Sequence, residues 1–265
     1  MSELPSAVSV RESGTGTPLV LLHAFPLNAS MWSSQLDALP GLTGDEARVL
    51  APDQRGFGGT GLGADEPSLD LLADDLALLL DAAGIERAVV GGLSMGGYVA
   101  LAFARRHPGR LSGLLLANTR ATADTDTARA NRERIAAVVT ARDSVQLLLD
   151  EQVAAGQLGP DSQHLVERVQ AMVAAAPPAA VAWAQRAMAA RPDALDVLAA
   201  LRVPVAIVAG AQDALVAPEE AELMVRARPD AELTLLPRVG HLSALEAPEA
   251  FDAAVRTLLA RVAAG

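Results

Sequence analysis

The sequence predicts an α/β fold: a mainly parallel sheet flanked by helices, with an inserted helical cap. Three observations predict it. Short, continuously apolar runs are typical of strands that are covered on both faces, helical patterns lie between these runs, and one Ala-rich stretch has no convincing strand. With 265 residues, 51% of them hydrophobic, the chain can bury one large core.

Apolar runs and helical patterns alternate along the chain. Six runs are predicted strands, at residues 18–22, 48–51, 88–91, 111–117, 204–209 and 232–236, and a short run at 8–10 is a candidate edge strand. Helical patterns lie at residues 68–83, 95–106, 218–227 and 247–262. Strands that alternate with helices in this way indicate a mainly parallel sheet.

The alternation stops between about residues 122 and 200, where the sequence is Ala-rich and favours helices. We interpret residues 122–200 as a helical cap that is inserted into a core made of residues 1–121 and 201–265. Breaks near residues 156–160 and at Pro177-Pro178 divide this cap into three or four predicted helices.

The composition excludes several kinds of protein. A net charge of -11 predicts no nucleic-acid partner and no binding to an anionic membrane surface. The chain has no cysteine and no lysine, which excludes disulfides, thiolate chemistry and a lysine base. Met1 to Pro5 lack a basic segment before an apolar core, and no apolar stretch approaches the length of a membrane span, so we expect a cytoplasmic protein. These patterns do not predict the oligomeric state.

The most informative motif is Gly92-Leu93-Ser94-Met95-Gly96, which lies between a predicted strand and a predicted helix. It places Ser94 at a strand-to-helix turn, where glycines on both sides leave room for a strained serine. The motif alone can also be an ordinary glycine-rich turn. The flanking strand and helix favour a nucleophile elbow.

A serine nucleophile needs a base and an acid that orients the base. Of the four histidines, His107 ends a predicted helix and His164 lies in the cap, whereas His241 follows a strand and its loop, at the edge where such sheets build their sites. We therefore predict that His241 is the base. Asp213 also follows a predicted strand and is the predicted acid, with capping of the next helix as its alternative role. The chain order Ser94, Asp213, His241 is the expected one.

The oxyanion of a tetrahedral intermediate needs two N–H donors. We predict the backbone N–H of Met95, directly after the serine, and the backbone N–H of Phe25, in the loop His23-Ala24-Phe25-Pro26 after an early strand. The sequence shows no spacing of His, Asp and Glu that is typical of metal ligands, so neither a metal nor another cofactor is expected.

Together these motifs resemble those of the α/β-hydrolases, in particular the small, capped esterases and lactonases. Residues 23–26 resemble the family's H-G-x-P oxyanion loop with Ala24 in place of the usual glycine, residues 53–58 resemble its D-x-R-G-x-G loop, and Gly240-His241 resembles its terminal base motif. The resemblance covers nearly the whole chain and implies the α/β-hydrolase fold. Related dehalogenases and epoxide hydrolases have aspartate at the position of Ser94, so their reactions are not expected.

The motif residues and the resemblance predict a cofactor-free serine hydrolase. Its expected substrates are small-molecule carboxylic esters with small to medium acyl groups, which are cleaved through an acyl-enzyme. The elbow at residues 92–97 and Asn118-Thr119 also resemble enol-lactonases, so a lactone substrate is an alternative. Perhydrolysis, in which peroxide replaces water, would use the same triad. A function of another class, a hydrolase-like ligand receptor with little turnover, also stays open.

The predicted substrate pocket lies between the sheet and the cap. Trp32 and Trp183 are candidate substrate-binding residues, but aromatic residues make up only 3% of the chain, which disfavours a stacking-rich pocket. Arg120, at the entry to the cap, is a candidate ligand for a substrate carboxylate, although pairing with Asp124 or Asp126 is the favoured interpretation. Five further cap residues are candidates for the pocket or the core: Leu147, Leu148, Met172, Val173 and Met188.

Overall fold

The computed structural model describes residues 8–41 and 44–265, and Met1 to Pro5, on which the expectation about a leader segment rests, lie outside the described residues. Within these ranges seven strands form one sheet. The strands are β1 (Val10–Ser13), β2 (Thr17–Leu22), β3 (Ala47–Pro52), β4 (Ala88–Leu93), β5 (Leu111–Ala117), β6 (Val205–Gly210) and β7 (Glu232–Leu236). Their order across the sheet is β1-β3-β2-β4-β5-β6-β7.

The sheet is parallel except at one edge. β1 pairs antiparallel with β3, and the other neighbouring strands run parallel to one another. β4 and β6 are buried along their whole length and consist of small and branched apolar residues, AVVGGL and VAIVAG. Strands without a polar face must be covered on both sides. The predicted mainly parallel α/β sheet flanked by helices is therefore confirmed.

Twelve α-helices lie within the described residues. They are α1 (Ser33–Ala38), α2 (Leu69–Ala82), α3 (Met95–Arg106), α4 (Asp126–Arg142), α5 (Gln146–Asp150), α6 (Val153–Gly156), α7 (Val166–Ala174), α8 (Pro178–Ala189), α9 (Leu195–Ala200), α10 (Pro218–Ala227), α11 (Ser243–Glu246) and α12 (Pro248–Ala263). α3 packs on β2, β4 and β5, and α12 packs on β5 and β6. No helix in the described part of the chain is both long and apolar enough to cross a membrane.

The chain between β5 and β6, all of which is described, forms the six helices α4 to α9. The sequence predicts only three or four helices there, because α5, α6 and α9 are four to six residues long and too short to show a helical period. Asp143, with φ of 45°, directly follows α4, and Gln152, with φ of 51°, directly precedes α6. α4 and α8 pack along each other. That residues 122–200 form a cap distinct from the core stays a prediction.

The loop at residues 53–58 is held by buried polar contacts. Asp53 accepts hydrogen bonds from the amides of Ala29 and Gly59 at 2.8 and 2.9 Å. Arg55 donates to both carboxylate oxygens of Asp75 on α2, from Nε at 2.8 Å and from Nη2 at 2.7 Å. Two parallel N–H bonds to one carboxylate fix both position and orientation. This loop therefore fastens α2 to the sheet edge that carries the candidate site.

Candidate active site

Ser94 lies at the junction of β4 and α3, in a backbone conformation that is rare for a residue with a side chain. Its φ is 56° and its ψ is -113°, which is costly unless the surrounding structure imposes it. A Cβ on Gly92 would lie 2.1 Å from the carbonyl oxygen of Gly96, and a Cβ on Gly96 would lie 2.1 Å from the carbonyl oxygen of Leu22. Only glycine fits at these two positions, as expected for a nucleophile elbow.

His241 and Asp213 form a buried pair. The Nδ1 of His241 donates to Oδ2 of Asp213 at 2.8 Å, and the two residues are 2% and 7% exposed. The Oδ1 of Asp213 accepts the amides of Leu215 and Val216, both at 2.9 Å. With the proton held on Nδ1, the Nε2 of His241 is the nitrogen that can accept a proton from a hydroxyl group.

The Asp213 carboxylate is stabilised in its ionised form. Burial alone would raise its pKa, but the hydrogen bond and charge of His241 and the donors Asn118 and Val216 outweigh burial and lower the pKa of Asp213 below its usual value. Asn118 donates from Nδ2 to Asp213 at 3.0 Å and to the carbonyl oxygen of Gly240 at 3.0 Å. It therefore joins the two loops that carry the acid and the histidine. In the sequence, Asn118 stands out only through a resemblance to lactonases, which does not predict this role.

Ser94 and His241 line one cavity of about 310 Å³. Within the described residues, the Oγ of Ser94 makes no hydrogen bond to His241. Catalytic hydrogen bonds of this kind are often long in the absence of substrate and tighten when it binds. The structure thus brings the three predicted residues to one site: Asp213 is hydrogen-bonded to His241, and His241 and Ser94 line the same cavity.

One of the two predicted oxyanion donors lines this cavity, and the other directly follows Ser94. Phe25 lines it, and its carbonyl oxygen accepts a hydrogen bond from Nε2 of Gln157 at 3.2 Å. Met95 is the first residue of α3, so its amide has no acceptor within the helix. A helix N-terminus also favours negative charge. The role of both amides with substrate stays a proposal.

His23 holds the loop that carries Phe25. It is fully buried, its Nδ1 donates to the carbonyl oxygen of Ala24 at 3.0 Å, and its Nε2 accepts the amide of Gln54 at 3.0 Å. Burial lowers the pKa of His23 from 6.5 to about 4, against smaller opposing effects of the Ala24 carbonyl and the Asp53 charge. His23 is therefore neutral and structural. The sequence motif located it but did not predict this pair of contacts.

Glu246 positions the loop of His241 and joins it to the helical segment between β5 and β6. Its Oε2 accepts the amides of Gly240 at 3.0 Å and of Gly159 at 2.8 Å. The amide of His241 itself donates to the carbonyl oxygen of Gln157 at 2.8 Å. The contacts with Gly159 and Gln157 cross long stretches of sequence, and no local pattern predicts them.

The two tryptophans predicted as substrate ligands do not reach the cavity. Trp32 is fully buried and packs on Phe251, with ring centroids 5.8 Å apart. Trp183 is also buried, and its indole N–H donates to the carbonyl oxygen of Asp65 at 2.9 Å. Neither lines the cavity of Ser94. Both side chains are used in packing, which corrects their prediction as substrate-binding residues.

Arg120 does line the cavity, and its favoured pairing was wrong. Asp124 is bound instead by Arg132 and by Arg191, and Asp126 pairs with another arginine of α4. Arg120 instead lies 3.8 Å from Glu220 and donates to the carbonyl oxygen of Leu215 at 2.7 Å, and its place on the cavity keeps it a candidate ligand for substrate. Two of the other cap candidates, Leu148 and Met188, also line the cavity, and the remaining ones do not: Leu147, Met172 and Val173.

The fold and the geometry of this site define the α/β-hydrolase class. The family described as alpha/beta hydrolase fold matches residues 17–248, and the chain belongs to this family. No group of three His, Asp or Glu side chains that could hold a metal ion is found in the part of the chain that the structure describes.

Three known proteins show how similar the chain is to other proteins. A thermophilic esterase from Thermogutta terrifontis, solved with malate bound, has 39% sequence identity and a TM-score of 0.90, with 96% of this chain and 93% of that chain covered. The enol-lactonase from Burkholderia xenovorans LB400 has 25% identity and a TM-score of 0.84, covering 96% of each chain. A putative carbamate hydrolase from Caulobacter sp. (strain K31) is 31% identical over 89% of this chain and 88% of that protein. The protein is therefore an enzyme of the α/β-hydrolase type.

Proposed function

We propose that the protein hydrolyses carboxylic esters of small to medium acyl groups through an acyl-enzyme on Ser94. One observation carries this proposal: Ser94 stands in the strained elbow conformation on the same cavity as His241, whose Nδ1 is fixed by the buried Asp213. A serine hydroxyl becomes a nucleophile only when a base takes its proton.

In the proposed reaction, Nε2 of His241 takes the proton of Ser94 as Oγ attacks the ester carbonyl. The negative charge that forms on the carbonyl oxygen is stabilised by the amides of Phe25 and Met95. His241 then gives the proton to the leaving alcohol, and the carbon–oxygen bond to that alcohol breaks. Water, deprotonated by His241, releases the acid from Ser94, so the enzyme is regenerated with one water consumed. Asp213 stabilises the imidazolium in both steps.

The comparisons support ester chemistry and leave a second candidate. The structural relative with 39% identity is an esterase, which favours esters. The relative with 25% identity is an enol-lactonase, and a lactone is an internal ester that the same attack would open. Lactone hydrolysis is therefore the second candidate function.

The test is turnover of p-nitrophenyl esters of increasing acyl length by the wild type and by Ser94→Ala. We expect steady multiple turnover in the wild type and its loss in the variant, with an unchanged melting temperature. Ser112→Ala, a serine of β5 outside the cavity, is the matched control and should keep full activity. Retained turnover in purified Ser94→Ala would contradict the mechanism.

The same panel separates the alternatives. If esters are not turned over, a set of small lactones tests the second candidate with the same pair of variants. A wild-type protein that binds esters and lactones but turns over neither would favour a ligand receptor over an enzyme of this mechanism.

A further inference from the structure

One wall of the candidate active-site cavity carries a group of charges with more cations than anions. Asp124 and Arg132 line the cavity together with Ser94 and His241. The Asp124 side chain is only 2% exposed, and its two oxygens bind different arginines: Oδ1 accepts from Nη2 of Arg191 at 2.7 Å, and Oδ2 accepts from Nε of Arg132. One carboxylate between two guanidinium groups leaves one positive charge uncompensated.

Nearby side chains do not neutralise this cluster. Arg129 donates to the backbone carbonyl of Asp124 and pairs with Asp126, so these two charges cancel each other. Arg191 lies 4.0 Å above the ring of Tyr98, which itself lines the cavity. The surplus cation stands beside the catalytic cavity of a chain whose net charge is -11.

Arg120 adds a second cationic group to the same cavity, and its donors are only partly used. Its Nη2 donates to the carbonyl oxygen of Leu215 at 2.7 Å, and its Nη1 lies 3.8 Å from Oε1 of Glu220, which is too far for a hydrogen bond. The other oxygen of Glu220 accepts from Thr122 at 2.9 Å. The Nε of Arg120 is buried without an acceptor, and a quarter of the side chain (25%) is exposed.

These observations point to an anionic group on the substrate. Cations that are partly removed from water are costly unless an anion accompanies them. Two carboxylates, Asp124 and Glu220, stand against three guanidinium groups, so one positive charge is left over. A planar carboxylate fits the fork of a guanidinium, and its single negative charge balances this surplus. A phosphate monoester, with a charge between about -1.5 and -2 near neutrality, would leave an excess of negative charge.

Resting on the proposed ester hydrolysis, we propose that the preferred substrate carries a second, ionised carboxylate that Arg120 binds while Ser94 attacks the ester group. The carboxylate belongs to the acyl part, as in a half-ester of a dicarboxylic acid, or to the alcohol part, as in an ester of a hydroxy acid. Both sources present the same group to Arg120. The experiment below separates them.

The direct test is ligand binding to Ser94→Ala, measured by calorimetry or by NMR titration, which does not depend on turnover. Monomethyl glutarate is compared with methyl pentanoate for the acyl part, and 4-acetoxybutanoate with butyl acetate for the alcohol part. We expect the charged member of at least one pair to bind roughly 10-fold more tightly, and Arg120→Gln in the Ser94→Ala background to weaken that binding roughly 10- to 100-fold. Arg142→Gln, an exposed residue at the end of α4, is the matched control and should change neither value.

Equal affinity for the charged and neutral members of both pairs would overturn the proposal, and so would a charge preference that survives in Arg120→Gln. Arg120→Lys, which keeps the charge but not the fork, should bind the charged ester with intermediate affinity and serves if the glutamine variant does not fold. Wild-type hydrolysis of the neutral esters is measured separately. Turnover without charge preference would overturn this inference alone, whereas charge preference without any turnover would count against the proposed function alone.

Discussion

Acidification should destabilise the protein through one buried histidine, His23. Its two ring nitrogens are both engaged in the neutral form, since Nδ1 donates to Ala24 and Nε2 accepts from the amide of Gln54. A proton on Nε2 would break the second contact and place a charge in a fully buried site. The perturbation is therefore a shift of pH, with His23→Gln as the variant that removes the titrating group.

The magnitude follows from the pKa of His23, which is lowered from 6.5 to about 4 in the folded protein. The unfolded chain binds this proton more readily, so the free energy of unfolding falls as the pH falls between these two values and is unaffected by His23 above the higher one. At about 1.4 kcal/mol for each pKa unit, the full loss is about 3 kcal/mol. Most of it should be lost by about pH 4.5.

The assay is urea denaturation followed by circular dichroism at about pH 7.5 and at about pH 4.5. Other groups titrate in the same range, so the measured quantity is the difference between wild type and His23→Gln. The wild type should lose about 2.5 kcal/mol more than the variant on acidification. His164→Gln removes an exposed histidine and should keep the wild-type loss. An equal loss in wild type and His23→Gln would refute the reasoning.

Two further predictions concern the candidate site. Asp213→Asn should lower kcat on the best ester roughly 10³- to 10⁴-fold, because an amide no longer holds the proton on Nδ1 of His241; a kcat within about tenfold of wild type would exclude this role. Gly92→Ala should lower the free energy of unfolding by about 1–3 kcal/mol and reduce turnover, because the new Cβ would lie 2.1 Å from the carbonyl oxygen of Gly96. Urea denaturation and ester turnover measure both effects, and a fully stable, fully active variant would show that the elbow tolerates a side chain there.

Local signals predicted the elements of the sheet and its helices well. β5, β7, α3 and α10 begin and end at the predicted residues, because each is a compact apolar or amphipathic run with a clear boundary, such as Pro218 at the start of α10. β1 was expected at residues 8–10 but spans Val10–Ser13, a polar sequence, VRES. Its pairing with β3 defines it as a strand, and a partner strand cannot be read from four residues.

The candidate site also has a part that the sequence predicts and a part that only the structure shows. The motif and the positions after strands located Ser94, Asp213 and His241, because the ends of parallel strands meet at one edge of a sheet. The sequence predicts the wrong role for Trp32. This residue lies close in sequence to the candidate oxyanion loop, but in the folded chain its ring packs on Phe251. The roles of Asn118, His23 and Glu246 depend on hydrogen bonds between distant segments. Only the folded chain brings those donors and acceptors together.

The central claim, that Ser94 is the nucleophile, is tested most directly by covalent labelling. The wild type is incubated with an aryl fluorophosphonate, and the modified residue is located by intact-mass measurement and peptide mapping. We predict one adduct per chain, on Ser94, with turnover lost in proportion to labelling and no adduct on Ser94→Ala. A protein that turns over esters but is labelled at another residue, or that stays active after Ser94 is fully modified, would contradict the account.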